Sequence, residues 1–98
     1  MATCSISVVS KGEGVSVSHI VAKCVKVLDQ FPDLRWELTP MSTQIEGPVD
    51  RIFDALREIH EAPFKEGIPR VYTVISIDDR RDKHQTLSDK VAAVKNSM

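Results

Sequence analysis

Leu38-Thr39-Pro40-Met41-Ser42-Thr43-Gln44-Ile45-Glu46-Gly47-Pro48 is the stretch that decides the fold, because it combines a strand end, a corner, a second strand and a helix start. Pro40 has no N–H to donate to a central sheet ladder, so it marks the corner between two short strands, of which 34–38 is the first. Beyond it, polar and apolar residues alternate up to Glu46, as they do in a half-buried strand. Gly47-Pro48 ends this strand, and proline suits the first position of a helix.

The sequence before this stretch predicts a strand followed by a helix. Between residues 3 and 9, Cys, Ile and Val alternate with Thr and Ser, which indicates a strand with one apolar face. A loop with two glycines, 11–17, comes next, and Ser16 or Ser18 can cap the following helix. That helix carries an apolar stripe at helical spacing and ends at Pro32.

The sequence after this stretch predicts a helix, a strand and a last helix. The first of these helices begins at Pro48 and is expected to end near 61–63, with its apolar residues on one stripe. Residues 70–78 are β-branched and apolar on both faces, which favours a strand that is central or covered. Thr86 and Asp89 have the spacing of a capping box at the start of the last helix.

This order of elements predicts the fold class α+β, as a ferredoxin-like βαββαβ two-layer sandwich with an extra C-terminal helix. We expect a single domain over residues 1–98, with the first and fourth strands at the centre of the sheet. The face not covered by the two main helices would expose apolar side chains, which favours association into a homo-oligomer. Its predicted members are Thr3, Ser5, Ser7, Val9, Tyr72 and Val74, or the residues that alternate with them.

Composition argues against several classes of function. Thirteen basic and fourteen acidic residues give a formal charge of −1, which offers no electrostatic basis for binding nucleic acid or an anionic membrane. No apolar run is long enough for a membrane span, and the first residues do not resemble a signal peptide, so we expect a cytoplasmic protein. The two cysteines, Cys4 and Cys24, fall on apolar faces and are interpreted as buried, inert thiols.

The residues show no catalytic or metal-binding pattern. The three histidines share no ligand spacing, and no Ser-His-Asp, Cys-His or paired-carboxylate arrangement is evident. The loop at 11–14 matches no phosphate-binding motif and is interpreted as a plain turn, with phosphate binding as the alternative. The charged run 78–84 is interpreted as a solvated loop with local ion pairs or as a contact between subunits. Glu46, close to several hydroxyls, is the best ligand-site candidate; alternatively it is an edge-strand charge that discourages aggregation.

Five segments resemble, in order and over nearly the whole chain, the YkoF-like small thiamine-binding proteins (UPF0045). They are Gly12–Ser18, Leu38–Pro48, Glu58–Glu61, Gly67–Thr73 and Asp82–Thr86, and the Met-x-Thr-x-Ile-Glu-Gly core of the second is the most specific. Ser42 departs from this pattern, because the family often has glycine at this position.

The resemblance implies a ferredoxin-like subunit that forms a homodimer or homotetramer and binds thiamine or its hydroxymethylpyrimidine part without catalysis and without a further cofactor. A carboxylate such as Glu46 can neutralise the cation or accept from the amino group, and Met41 or Trp36 can lie against a ring face. The hydroxyls of Ser16, Ser18 and Thr43 can complete the hydrogen bonds of the ring. The predicted ligand-binding residues are Ser16, Ser18, Thr39, Met41, Thr43 and Glu46.

Two alternative functions remain open at this point. The first is an enzyme that acts on a small heteroaromatic substrate, which needs a titrating group of shifted pKa in its pocket. The second is a regulatory or assembly subunit whose occupied surface is protein. Ferredoxin-like folds host many activities, so the fold alone does not choose between them.

Overall fold

The structure is a computed structural model that describes residues 1–11 and 17–98, with only the backbone described at Ser10, Lys11 and Val17. The predicted cap Ser16 and the glycine loop before it therefore lie outside the described residues. The elements follow in the predicted order: β1 (Ala2–Lys11), α1 (Val17–Lys26) with a 3-10 turn (Val27–Gln30), β2 (Arg35–Leu38), β3 (Thr43–Gly47), α2 (Val49–Lys65), β4 (Arg70–Asp79) and α3 (Leu87–Ser97).

The sheet is antiparallel throughout, with the strand order β2-β3-β1-β4. The expectation that β4 lies at the centre with β1 is wrong, because β3 pairs with β1 and leaves β4 at an edge. The reason is that each helical crossover spans one inserted strand: α1 passes over β3, and α2 passes over β1. The interleaving of the two crossovers places β1 and β3 in the middle.

One face of this sheet carries the core. Cross-strand neighbours share a face, so the pairs Cys4–Ile45 and Ile6–Ile75 lie on the side covered by α1 and α2. The fully buried side chains come from these two helices, from the 3-10 turn and from the central strands; the largest are Ile20, Leu28, Ile45, Ile52 and Pro63.

Helix α2 continues past its predicted end, to Lys65, and contains Pro63. A proline inside a helix leaves the carbonyl four residues earlier without its N–H donor. Here that carbonyl belongs to Ile59, and the Cys24 thiol of α1 donates to it over 3.6 Å. The contact between the two helices therefore supplies a weak donor where the helix lacks its own.

Both thiols are expected to resist modification in the folded protein. Burial raises the pKa of Cys4 and of Cys24 to about 11, because the thiolate would lose its hydration. At mildly alkaline pH the thiolate fraction is then roughly 100-fold lower than at the usual pKa, and each cysteine is less than 5% exposed. Labelling with a thiol reagent should be slow until denaturant unfolds the chain, after which both thiols should react. Fast labelling of the native protein would contradict the burial.

Helix α3 lies on the opposite face of the sheet. Thr86 and Asp89 form the predicted capping box, with Thr86 Oγ1 accepting from the Asp89 N–H and the Asp89 carboxylate accepting from the Thr86 N–H. Lys90 donates to the Asp78 carboxylate on β4. The helix buries none of its residues, so these polar contacts, rather than a core, hold it. No helix among the described residues has the length and apolarity to cross a bilayer.

The corner between β2 and β3 is closed by hydrogen bonds rather than by its proline alone. The Thr39 N–H donates to the Ser42 carbonyl over 2.9 Å, and the Thr39 hydroxyl donates to the same oxygen over 2.7 Å. The Ser42 N–H in turn donates to Thr39 Oγ1 over 3.2 Å. After β3, Pro48 is the residue preceding α2 and not its first helical residue. The predicted local ion pairs of the charged run are present, as Arg80 with Asp82 and Arg81 with Asp79.

Candidate functional site

A cavity of about 220 Å³ opens between α1, the end of β1 and the corner Thr39–Ser42. We call it the inner cavity. Its floor is apolar and is formed by Cys24 of α1, Leu28 of the 3-10 turn and Ile59 of α2. Its remaining walls are Val21 and Val25 of α1, residues 6–9 of β1, Leu38, and the corner with Thr43. No charged side chain is among these residues.

The inner cavity exists because β1 is longer than its partner β3. Strand β3 begins at Thr43, opposite Ile6, so β1 from Ser7 onward has no neighbouring strand on that side within the described chain. An unpaired strand edge presents N–H and C=O groups that need partners. The corner at Pro40 turns away at the same point, which leaves the space open. A ligand in it would therefore meet backbone donors and acceptors as well as apolar walls.

The hydroxyls around the inner cavity differ in how far they are already used. Thr39 Oγ1 is occupied in closing the corner, and Ser42 Oγ accepts from Ser5 Oγ over 2.9 Å. Thr43, only 8% exposed, has no side-chain hydrogen bond to any described residue. Because no buried side-chain oxygen of the described residues lacks a partner, the Thr43 hydroxyl belongs to the accessible part of the residue and is free to donate to or accept from a bound molecule.

A second, more open depression continues the inner cavity along α1 and β2. We call it the outer groove. It shares Val21, Val25, Leu38 and Thr39 with the inner cavity, and it adds Ser18, Ala22, Lys26, Asp29 and Trp36. Leu38 and Trp36 point to the core side of the sheet but remain 57% and 40% exposed. The two depressions thus leave apolar surface on β2 uncovered.

The structure brings three of the predicted site residues together and places Ser18 and Glu46 elsewhere. Thr39, Met41 and Thr43 line the inner cavity, with Met41 exposed at its rim. Ser18 lies in the outer groove. Ser16 is outside the described residues, so its predicted role stays a prediction.

Glu46 lies on the face of the sheet opposite the inner cavity. Its side chain is 6% exposed, one carboxylate oxygen accepts from the Leu87 N–H over 2.9 Å, and the other lies 3.8 Å from Arg35 Nε. The alternative of an exposed edge-strand charge is wrong, since β3 is central and Glu46 is buried. Its predicted contact with a ligand stays a prediction, and the arrangement gives it a structural task at the start of α3, where a negative charge is favoured.

Replacing Glu46 by alanine is expected to loosen α3 and to leave ligand binding unchanged within about two-fold. Without the carboxylate, the Leu87 N–H at the start of α3 has lost its acceptor, which lowers the free energy of unfolding by about 1–2 kcal/mol. Hydrogen exchange of residues 87–97 should speed up, while calorimetry with thiamine should not change. Thr86→Ala, which weakens the same helix start without touching the carboxylate, is the matched control. A large loss of affinity in Glu46→Ala alone would assign the carboxylate to the ligand.

The described residues contain no arrangement of nucleophile and base at this site. His60 Nδ1 lies 2.7 Å from Thr73 Oγ1, between α2 and β4, and neither residue lines the inner cavity or the outer groove. Within the described residues, no three His, Cys, Asp or Glu side chains cluster closely enough to hold a metal ion. The titratable side chain in the inner cavity is Cys24, whose raised pKa keeps it a neutral thiol.

Sequence reasoning missed several residues of the site. Val25 follows Val21 by one helical turn, so the α1 stripe is wider than the core requires, and this excess was the available signal. Ser7 and Asp29 gave no such signal, because their position beside the cavity and the groove depends on where β3 begins and where α1 crosses the sheet.

Together these features define a class: a small ferredoxin-like α+β protein with a ring-sized cavity beside a central strand, at an edge that no described strand covers and with no charged side chain in its described lining. The thiamine-binding protein family matches residues 4–95 of the chain. The UPF0045 protein YqgV of Bacillus subtilis is 43% identical over 98 residues, covering 96% of this chain and 94% of that protein.

Two solved structures have the same fold at higher than 30% identity. Protein MJ1052 of Methanocaldococcus jannaschii superposes with a TM-score of 0.85 at 33% identity, covering 96% of this chain and 95% of that one. A DUF77 domain from Bacillus cereus superposes with a TM-score of 0.84 at 31% identity, covering 92% of this chain and 86% of that one. A third structure, from Thermotoga maritima and proposed to act in thiamine biosynthesis or salvage, gives 0.78 at 22% identity over 95% and 97% of the chains and shows the fold alone.

The chain belongs to the thiamine-binding protein family, UPF0045. The predicted resemblance and the predicted ferredoxin-like fold class are both confirmed by these matches.

Proposed function

We propose that the protein binds thiamine, or its hydroxymethylpyrimidine part, in the inner cavity and does not transform it. The observation that carries the proposal is the inner cavity itself. Beside its apolar walls it places the Thr43 hydroxyl, which has no side-chain hydrogen bond to a described residue, and an edge of β1 that no described strand covers. The family supports a role related to thiamine.

The chemistry of an aminopyrimidine suits such a cavity. Its ring is flat and gains from burial between aliphatic side chains such as Val21 and Val25. Its amino group donates and its ring nitrogens accept, so each needs a partner once water is removed. Thr43 and the unpaired backbone of β1 supply both kinds of partner, and the Met41 thioether at the rim can lie against a ring face.

Binding without catalysis is the version of this function that the site favours. Among the described residues that line the inner cavity there is no carboxylate, histidine or cationic side chain, and the Cys24 thiol is kept protonated by burial. An enzyme would need a group poised to transfer a proton or to attack. The buried, unpaired thiols also suit a reducing compartment, so we propose a cytoplasmic location.

Calorimetry with thiamine tests this function. The expected result is saturable binding of one molecule per chain, with the ligand recovered unchanged by mass spectrometry after long incubation. Absence of binding at millimolar thiamine would overturn the proposal, and a modified product would overturn its non-catalytic part.

Thr43→Val is expected to weaken thiamine binding about ten-fold, since one hydrogen bond contributes about 0.5–1.5 kcal/mol and the shape of the side chain is kept. Thr3→Val is the matched control. It makes the same exchange at a buried threonine on the opposite face of the sheet and should leave the affinity unchanged. Equal effects of the two variants would count against the inner cavity as the site.

We also propose that the protein forms a homo-oligomer through the face that carries α3. Val9, Tyr72 and Val74 are neighbours there by register, and all three are exposed, as are Val91 and Val94 of α3. Contiguous apolar surface of this kind marks interaction sites. Sedimentation at micromolar concentration should show a dimer or tetramer, and a purely monomeric profile would contradict the proposal.

A further inference from the structure

The outer groove differs in chemistry from the inner cavity that it continues. The described lining of the inner cavity carries no charge, whereas the outer groove is bordered by the Trp36 ring and the Asp29 carboxylate. Trp36 and Leu38 are two residues apart on the same face of β2, which corresponds to roughly 6.6 Å along the strand. Since Leu38 belongs to both depressions, two rings joined by a single methylene can span from one into the other.

Resting on the proposed function, we propose that the outer groove holds a positively charged second ring of the ligand, with Trp36 against its face and Asp29 as its counter-charge. The site would then select a molecule with a neutral pyrimidine at one end and a heteroaromatic cation, such as the thiazolium of thiamine, at the other. Glu46, to which a counter-charge role was assigned from the sequence, lies on the other face of the sheet.

Asp29 is suited to this role because its carboxylate is uncommitted. It is exposed, and within the described residues it forms no ion pair or hydrogen bond. A cation over the face of tryptophan is attracted by the ring quadrupole, and partial burial in the groove strengthens that attraction. A carboxylate beside such a cation adds a second attraction that salt weakens.

Lys26 borders the same groove and would repel a cation, so it has to be weighed against Asp29. The lysine side chain is long, exposed and flexible, and it can carry its ammonium out into water. The aspartate side chain is short and keeps its charge close to the 3-10 turn that bears it. The carboxylate is therefore the charge that stays at the groove when a ligand enters.

Tryptophan fluorescence gives a direct test, because Trp36 is the chain's single tryptophan. Thiamine should quench this fluorescence on binding, whereas the free hydroxymethylpyrimidine should bind with little quenching. Thiamine should also bind about ten-fold more tightly than the pyrimidine, and its affinity should fall as salt is raised.

Asp29→Asn should lower the affinity for thiamine about five-fold, abolish most of its salt dependence and leave the pyrimidine affinity unchanged. Glu61→Gln, which neutralises an exposed carboxylate on α2 outside the groove, is the control and should change neither affinity.

The outcomes separate this inference from the proposed function. If both molecules bind with equal affinity and Asp29→Asn changes neither, the inference is overturned while binding in the inner cavity stands. If neither molecule binds the wild-type protein, the proposed function fails. Quenching by both molecules to the same extent would also overturn the inference, since it would place Trp36 beside the pyrimidine.

Discussion

Replacing Val21 by phenylalanine is expected to lower the affinity for thiamine roughly 100-fold while leaving the protein folded. Val21 is a half-buried residue of α1 that lines both the inner cavity and the outer groove. A phenyl ring there would occupy the space that the ligand needs. Because the void already exists, the ring would fill it instead of forcing packed neighbours apart, so stability should be kept or slightly raised.

The measurement is calorimetry with thiamine, accompanied by denaturant unfolding of each variant. His19→Phe is the matched control, because it adds the same ring to α1 at an exposed position outside both depressions. That variant should bind thiamine like the wild-type protein. Unchanged affinity in Val21→Phe, with the fold intact, would place the ligand somewhere other than the inner cavity.

Gly47→Ala is expected to be strongly destabilising, with a loss of about 2–4 kcal/mol in the free energy of unfolding. Gly47 has a φ of 153°, a region that residues with a Cβ rarely adopt. A Cβ at this position would lie 2.5 Å from Cδ2 of the buried Leu34, so that the leucine side chain would have to shift within the core. The clash would fall at the junction of β3 and α2.

Gly67→Ala provides the control for backbone strain alone. Gly67 also has a positive φ, of 86°, but a Cβ there would meet nothing within 4 Å. Its substitution should cost about 1–2 kcal/mol, and the difference between the two variants reports the contact with Leu34. In the double variant Leu34→Ala, Gly47→Ala the two losses should be less than additive, because removing the leucine relieves the clash. Additive losses in the free energy of unfolding would show that the contact between the new Cβ and Leu34 carries no cost.

Val21→Phe and Gly47→Ala test two different roles of the segment Leu38–Pro48. The corner Thr39–Ser42 shapes the inner cavity, whereas Gly47 sets the path from β3 into α2. We therefore expect Val21→Phe to alter binding without altering stability. Gly47→Ala should lower the stability and leave the affinity for thiamine unchanged, at temperatures where the variant remains folded.

Much of the fold could be predicted from local patterns. The alternation in β1, the apolar stripes of α1 and α2, and the capping box of Thr86 and Asp89 all report the periodicity of the backbone that they occupy. The motif around Met41 and Glu46 indicated the family, and the comparisons confirm it. The same motif gave Thr39, Met41 and Thr43 as neighbours, which line one cavity.

Other features were decided only in three dimensions. The apolar residues of β4 on both faces suggested a strand that is central or covered, and right-handed crossovers suggested the central position. β4 is an edge, because strand order depends on how the two crossovers interleave and not on composition. Glu46 was grouped with the ligand by its nearness in sequence. Side chains alternate between the two faces of a strand, so Glu46 points away from the inner cavity. Its carboxylate accepts from the Leu87 N–H at the start of α3.

By itself, then, the sequence determined the element types, their order, the family and the cavity-forming corner, since each rests on residues that are close along the chain. Tertiary structure alone decided which strands are central, that Glu46 supports α3, and that Val25, Ser7 and Asp29 border the cavity and its groove. The physical reason is that these features depend on contacts between segments that are far apart in sequence. Strand β1 extends beyond the start of β3, and α1 crosses the sheet above the part of β1 that β3 does not pair with.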